Sequence, residues 1–169
     1  MKDLLYITQE ELIEFQNLLR ENKKTITTAE SCTGGLIASL ITQISGSSDI
    51  FNGAVITYSN EIKSQELKVK KETLEKFGAV SKEVVEEMLD GVINKFNADF
   101  AIAVSGIAGP NGGTKNKPVG TVVIGISSKE NKKEIEVCLF DGTRSEVQNK
   151  AAKYSLKKLF NFFQKNLDK

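Results

Sequence analysis

The stretch Thr27-Thr28-Ala29-Glu30-Ser31-Cys32-Thr33-Gly34-Gly35 gathers a carboxylate, a hydroxyl nucleophile, a thiol and a pair of glycines within nine residues. A β-branched run ends just before it, and Leu36, Ile37, Leu40, Ile41 and Ile44 recur on one helical face just after it. The segment therefore reads as strand, tight turn, helix. Gly34 and Gly35 carry no Cβ, so backbone N–H groups at the helix start can approach a ligand closely. A helix N-terminus also has unpaired donors and a partial positive charge, which suit a phosphate or the oxyanion of an acyl-transfer intermediate. Ser31 beside such donors could attack a carbonyl carbon. Two plainer readings fit the same letters: Ser and Thr ahead of a helix serve as N-caps, and paired glycines serve close packing. Neither G-x-x-x-x-G-K-[ST] nor G-x-S-x-G occurs there.

The chain contains no histidine. Ser-His-Asp and Cys-His arrangements are thereby excluded, as is every His-ligated metal site. Proton transfer in an enzyme of this composition falls to Lys, Tyr, Glu, Asp or water. Cys32 and Cys138 are too few for a disulfide scaffold and form no metal-type cluster, so both read as free thiols. Cys32 is the rival nucleophile, adjacent to Ser31 and intrinsically more reactive as thiolate. Residue types alone do not separate the two. Ser155-Leu156-Lys157-Lys158 matches S-x-x-K, but on an ordinary amphipathic helix it reads as chance.

The elements that must position these groups follow from the patterning. A length of 169 residues fits one compact domain. Contents of 40% hydrophobic and 27% charged residues are ordinary for a soluble globular protein. The net charge of +1 gives no global drive towards nucleic acid or anionic membrane. The aromatics fall at core positions and form no stacking platform, which weighs further against RNA binding. No apolar run reaches the length of a membrane span, and the apolar part of Met1-Lys2-Asp3-Leu4-Leu5-Tyr6-Ile7 is too short for a signal peptide. A cytoplasmic protein is expected.

Thr8-Gln9-Glu10-Glu11 is a capping-box pattern, with Leu12, Phe15, Leu18 and Leu19 behind it, and predicts a helix over 8–21. A first strand follows at 24–29. The helix after Ser31 ends near a loop at 45–48. Residues 51–58 read as a second strand, after which Ser59 or Asn60 caps a further helix. A short helix over 71–77 stops at Gly78. Ser81 then opens an amphipathic helix reaching Phe96, and residues 100–105 form a buried strand. That strand discharges into a glycine-rich loop running to Gly120, long enough to suggest function. Strands at 121–127 and 134–140 form a hairpin, and a long helix spans 143–166, with Lys150, Lys153, Lys157 and Lys158 as a solvated face. This order predicts an α/β fold: a three-layer α/β/α sandwich with a mostly parallel mixed sheet. Ligands bind such sheets at the edge carrying the strands' C-terminal ends. Ser31, Tyr58 with Lys63, and Ser105 with Gly106 all follow strand ends, so three polar turns converge on one edge.

Three runs carry a resemblance: T-T-A-E-S-C-T-G-G at 27–35, T-Y-S-N-E-x-K at 57–63, and S-G-I-A-G-P-N-G-G at 105–113 followed by K-P-V-G-T-V at 117–122. Together and in this order they resemble the CinA C-terminal domain family. The likeness runs from Thr8 to Phe163 and implies a single such domain over 1–169. Family members include stand-alone amidases that convert nicotinamide mononucleotide to nicotinate mononucleotide and ammonia in pyridine-nucleotide recycling, without metal or cofactor. Larger members carry an additional N-terminal domain, which is not expected here. The resemblance implies that Ser31 is the nucleophile, with Tyr58 and Lys63 as its polar partners. It also implies backbone binding of substrate at Gly34-Gly35 and at Ser105, Gly106, Ile107, Ala108 and Gly109, and a role for Arg144 near the start of the last helix. Family members often show Gly-Asp-Arg before that helix and a second arginine a turn later. Here Asp141-Gly142-Thr143-Arg144 is found and Gln148 replaces the second arginine, which bears on any phosphate contact from that corner.

Backbone N–H groups around Cys32, Thr33, Gly34 and Gly35, or around Gly106 to Ala108, are then expected to stabilise the oxyanion. Lys63 becomes the candidate base, which requires a neutral amine. Neutralising an ordinary lysine, pKa about 10.4, near pH 7.5 costs roughly 4 kcal/mol. A helix N-terminus supplies only about 0.3–1 kcal/mol of this, so desolvation must supply most of it. Lys63 is therefore expected to be buried against the substrate cavity. Tyr58 would pass a proton to the leaving amine or hold Lys63, and Glu30 would orient Lys63 or Arg144 or cap a neighbouring turn. The expected partner is a pyridine mononucleotide, with no nucleic acid and no membrane, and with a homo-oligomer left open. A nucleotide-binding regulatory module without turnover is the other reading, since the same turns bind a phosphate whether or not Ser31 reacts.

Overall fold

The computed structural model describes residues 4–167. Met1 to Asp3, part of the stretch weighed as a signal peptide, lie outside them. Helix α1 (Gln9–Glu21) starts on the expected capping box: the Glu11 N–H donates to Thr8 Oγ1 at 3.1 Å, and the Thr8 N–H to Glu11 Oε2 at 3.0 Å. Strand β1 (Ile26–Glu30), helix α2 (Leu36–Thr42), strand β2 (Phe51–Ile56) and helices α3 (Asn60–Leu67), α4 (Lys71–Phe77) and α5 (Lys82–Phe96) follow. Strands β3 (Phe100–Gly106), β4 (Thr121–Ser128) and β5 (Lys133–Leu139) precede the long helix α6 (Arg144–Leu167). Ser59 caps α3 and Ser81 caps α5 through their side chains. Among the described residues, no helix is long and apolar enough to cross a membrane.

The five strands lie in the order β2-β1-β3-β4-β5. β1 pairs in parallel with β2 and β3, while β4 is antiparallel to both β3 and β5. Four strands thus run one way and β4 alone is reversed, so the sheet is mixed as expected. Alternation along β3 decides which helices cover which face. Ile102 and Val104 point into the core shared with α1, α2 and α6, whereas Ala101 and Ala103 face α5. Small residues on that side let α5 lie close. At Gly125 of β4, an added Cβ would stand 2.6 Å from Val85 Cγ1 and 2.8 Å from Leu89 Cδ1 of α5. On the opposite face Phe15, Phe100, Phe160, Phe162 and Phe163 pack ring to ring. Each such buried side chain contributes about 1.5–3 kcal/mol.

Several boundaries differ from those expected. β1 begins at Ile26 and takes in Glu30, displaced from the expected 24–29. β2 stops at Ile56, two residues short of Tyr58. α2 begins only at Leu36, because Gly34 (φ +60°) and Gly35 (φ +99°) first turn the chain through the left-handed region. The loop expected at 45–48 runs into a short 3-10 helix, Ser47–Asp49, beside which Arg20 binds both Asp49 and the Gly46 carbonyl.

Candidate active site

Parallel pairing brings the ends of β1, β2 and β3 to one edge. Glu30 is in register with Ile56 on one side and with Val104 on the other. Ser31 therefore leaves the sheet between Thr57 and Ser105. Its N–H donates to the Val104 carbonyl at 3.0 Å, and its own carbonyl accepts from the Gly34 N–H at 3.0 Å. The serine is held from both sides of its backbone.

Lys63 lies one turn into α3 and is 2% exposed. Its Nζ donates to the Thr57 carbonyl at 2.9 Å, approaches the Tyr58 carbonyl at 3.5 Å, and stands 3.1 Å from Ser31 Oγ. Among the described residues it forms no ion pair. Burial without a carboxylate lowers its pKa below the ordinary lysine value. A neutral amine has two N–H donors and one lone pair. In that form the two carbonyls would take the donors and leave the lone pair for the Ser31 hydroxyl, whereas the ammonium would donate to all three oxygens.

Cys32 is buried, and that burial pushes its thiol up to about 12. It is a protonated thiol at neutral pH and a poor nucleophile. Glu30, fully buried, points away from the cleft. Its carboxylate accepts from Thr28 Oγ1 at 3.0 Å, Thr33 Oγ1 at 2.8 Å, the Ile37 N–H at 2.9 Å and the Ala38 N–H at 3.0 Å. It caps α2 and orients neither Lys63 nor Arg144. The helix N-terminus expected to receive an oxyanion is therefore already occupied by a side chain. The Leu36 N–H, too, is taken by the Thr33 carbonyl. In the two turns flanking Ser31, the amides without a backbone acceptor among the described residues include those of Cys32, Thr33 and Gly35 on one side and Ala108 and Gly109 on the other.

The start of α6 joins the three turns. A capping box sets its register: the Glu146 N–H donates to Thr143 Oγ1 and the Thr143 N–H to Glu146 Oε1, at 3.3 and 3.2 Å. Arg144 Nη1 donates to the Gly109 carbonyl at 2.7 Å and Nη2 to the Tyr58 hydroxyl at 3.0 Å. A cation in the first turn of a helix opposes the helix dipole, so its place there needs another reason. Tyr58 is 64% exposed, and its hydroxyl meets Arg144 where a contact to Lys63 was expected. Only its backbone carbonyl comes near that amine. Gln148, one turn on from Arg144, donates to the Cys32 carbonyl at 2.9 Å. Across the mouth, Lys117 Nζ donates to the Phe77 carbonyl at 2.9 Å and ties the glycine-rich loop to the end of α4.

Between these turns lies a cleft of about 330 Å³, within the range of about 300–1,000 Å³ usual for small-molecule sites. Ser31, Cys32, Tyr58, Lys63, Ser105, Gly106, Ile107, Ala108, Gly109 and Arg144 line it. Glu30, Thr33, Gly34 and Gly35, expected to meet substrate, do not. The Glu30 cap draws in the Thr33 hydroxyl, and Gly35 packs against Ile56. Asn60, Ala79, Val80, Asn111 and Gly112 also line the cleft without having been singled out. Asn60, Asn111 and Gly112 sit within the quoted motifs, whereas nothing in the sequence marks Ala79-Val80 after the helix stop. No carboxylate lines the cleft, so its one permanent charge is the Arg144 cation. A larger hollow of about 430 Å³ between α3 and α5 is lined by Glu66, Lys70, Glu87, Asp90 and Lys95, and Glu66 and Lys95 pair within it. Among the described residues no Cys, Asp and Glu side chains group as metal ligands would.

Comparison with known proteins gives a consistent picture. The CinA C-terminal domain matches residues 9–163. A CinA-like protein of Endomicrobium trichonymphae is 54% identical over 139 residues, which is 82% of this chain and 32% of that protein. A CinA-like protein of Thermotoga neapolitana is 47% identical over 142 residues, 84% of this chain and 34% of that one. The chain spans about a third of the length of these relatives. Among solved structures, the competence damage-inducible protein A from Klebsiella pneumoniae is similar with a TM-score of 0.88 and 36% identity, covering 92% of this chain and 96% of that one. The competence/damage inducible protein CihA from Agrobacterium tumefaciens is similar with a TM-score of 0.89 and 36% identity, covering 92% and 95%.

Proposed function

Since the chain belongs to the CinA C-terminal domain family, we propose that it is an amide hydrolase converting nicotinamide mononucleotide to nicotinate mononucleotide and ammonia. The observation that carries the reading is a desolvated lysine amine 3.1 Å from a serine hydroxyl in a chain without histidine. In this reading Ser31 Oγ attacks the carboxamide carbon and its proton passes to Lys63 Nζ. The C–O bond forms, and the carbonyl electrons move to oxygen. The candidates to receive that oxyanion are the Cys32 amide and, across the cleft, those of Ala108 and Gly109. Each well-placed donor is worth on the order of 3 kcal/mol. Collapse of the intermediate breaks the C–N bond, and the Lys63 proton leaves with the amine as ammonia. Water deprotonated by the regenerated amine then hydrolyses the ester and frees Ser31.

The cleft's charge is compatible with the substrate. Without a lining carboxylate, and with Arg144 at its margin, it favours an anionic or neutral ligand over a cation. Tyr58 lies beside Arg144 at the mouth, so its part in this reading is to position that cation and the ligand's polar end. Direct proton transfer to the leaving group falls to Lys63. The test is ammonia release from nicotinamide mononucleotide by the purified protein, with Ser31→Ala beside it. Release that is lost in the variant supports the reading. Tight binding of the nucleotide with no release, unchanged by the substitution, would replace it with a regulatory module.

A further inference from the structure

Ser31 opens a turn whose shape is fixed only in part from within. The Ser31 carbonyl accepts from the Gly34 N–H, and this bond sets the Ser31–Cys32 peptide. The next peptide, Cys32–Thr33, is set from outside the turn. Its carbonyl accepts from Gln148 Nε2 at 2.9 Å, across 116 positions of sequence. Carbonyl and N–H of a trans peptide point in opposite directions, so this bond also aims the Thr33 N–H. With both peptides flanking Cys32 fixed, the direction of the Cys32 N–H is fixed as well. Gln148 has no other protein partner among the described residues, and it shares a helix face with Arg144 four residues earlier.

We propose that Gln148 is a positioning residue for acyl transfer at Ser31, holding the turn so that the Cys32 amide faces the developing oxyanion. The proposal rests on the amide-hydrolase reading. Glutamine does this without charge, so its contribution is the same at every pH. Loss of the bond lowers turnover across the whole profile and leaves the position of the Lys63 titration alone. The donor is amide nitrogen, so a longer donor-bearing side chain replaces it, whereas an acceptor does not.

The experiment compares kcat, KM, the pH profile and the melting temperature of wild type, Gln148→Met, Gln148→Glu and Gln148→Arg. Methionine keeps the length and has no donor; glutamate keeps the shape and places oxygen against a carbonyl; arginine restores N–H donors. A fall in kcat of about 10–100-fold is expected for Met, since a small misplacement of reacting groups costs up to about 10²-fold. KM stays within about threefold, the Glu variant falls at least as far, and the Arg variant regains most of the rate. The pH limb does not move. Met and Glu variants with wild-type kcat would overturn the proposal, as would an equal loss in all three variants or a rise in KM alone. A wild-type protein that releases no ammonia overturns the amide-hydrolase reading itself and this inference with it, whereas an active wild type matched by Gln148→Met sinks the inference only.

Discussion

Replacing Lys63 with methionine keeps an unbranched apolar side chain, one atom shorter, and removes the basic atom. The Nζ it removes is 3.1 Å from Ser31 Oγ and has no carboxylate to keep it charged. A positioned general base contributes about 10²–10⁴-fold to rate, which corresponds to about 3–5 kcal/mol of barrier. The Met variant is therefore expected to lose at least about 10²-fold in kcat, with KM changed by less than about threefold. Lys63→Arg is expected to fail equally, because guanidinium remains protonated. The sign of the pH dependence follows from the burial of the amine. Burial pulls its pKa below 10.5, so the active neutral form gains as pH rises and the rate climbs to a plateau. Stability moves in the same direction. Between the folded-state pKa and 10.5 the unfolded chain binds more protons, so wild-type stability rises with pH through that window and levels off above it. The Met variant lacks that slope. Ammonia release coupled to glutamate dehydrogenase, followed from about pH 5.5 to about pH 9.5, reads the first effect. An Arg variant within about tenfold of wild type, or a wild-type rate that falls as pH rises, would show that the ammonium is the active form and refute the reasoning.

Three further substitutions separate chemistry from support. Cys32→Ala should leave kcat within about threefold, and native Cys32 should resist iodoacetamide at neutral pH, because with its thiol near 12 less than roughly one molecule in ten thousand is thiolate. Rapid alkylation with loss of activity would point to the thiol instead. Glu30→Ala strands the buried Ile37 amide, the part-buried Ala38 amide and the hydroxyls of Thr28 and Thr33, and urea denaturation should report a loss of about 3 kcal/mol or more. A loss under about 1 kcal/mol would mean that those donors find other partners. Thr57 Oγ1 is buried without a hydrogen-bond partner. Thr57→Val keeps the carbonyl that receives Lys63 and should raise the melting temperature by about 2–4 °C for each kcal/mol recovered, with kcat unchanged.

Local signals carried most of the secondary structure. Thr8 with Glu11, Ser59 and Ser81 each cap the helix that their spacing announces, because a cap and its amides are three residues apart. The requirement that Lys63 be buried was also legible, since a chain without imidazole leaves few other bases. Glu30 was not, because a charged residue at a strand end has several uses and only the folded chain shows four donors converging on it. Those contacts removed the α2 terminus from the list of oxyanion donors. The Gln148 bond lay further out of reach. Its donor and acceptor have no periodic relation, and the residue registered only as a missing arginine. The likeness to the CinA C-terminal domain spoke to the fold more firmly than to the chemistry. The names of the similar solved structures describe competence and damage induction, and the proposed amide hydrolysis rests on the geometry of Ser31 and Lys63.

The reversed direction of β4 has a consequence for how this site can change over evolutionary time. Because β3 and β4 are antiparallel, the segment joining them departs from and returns to the same edge of the sheet. It is pinned at one margin by Arg144 to the Gly109 carbonyl and at the other by Lys117 to the Phe77 carbonyl. No crossover helix hangs on its length, in contrast to the connections between the parallel strands, which must each traverse a full layer. Residues can be inserted into or trimmed from this canopy while the hydroxyl and the amine beneath it keep their separation. The canopy and the Ser31–Lys63 pair are thereby carried by different kinds of connection, one free to drift and one geared to the whole scaffold.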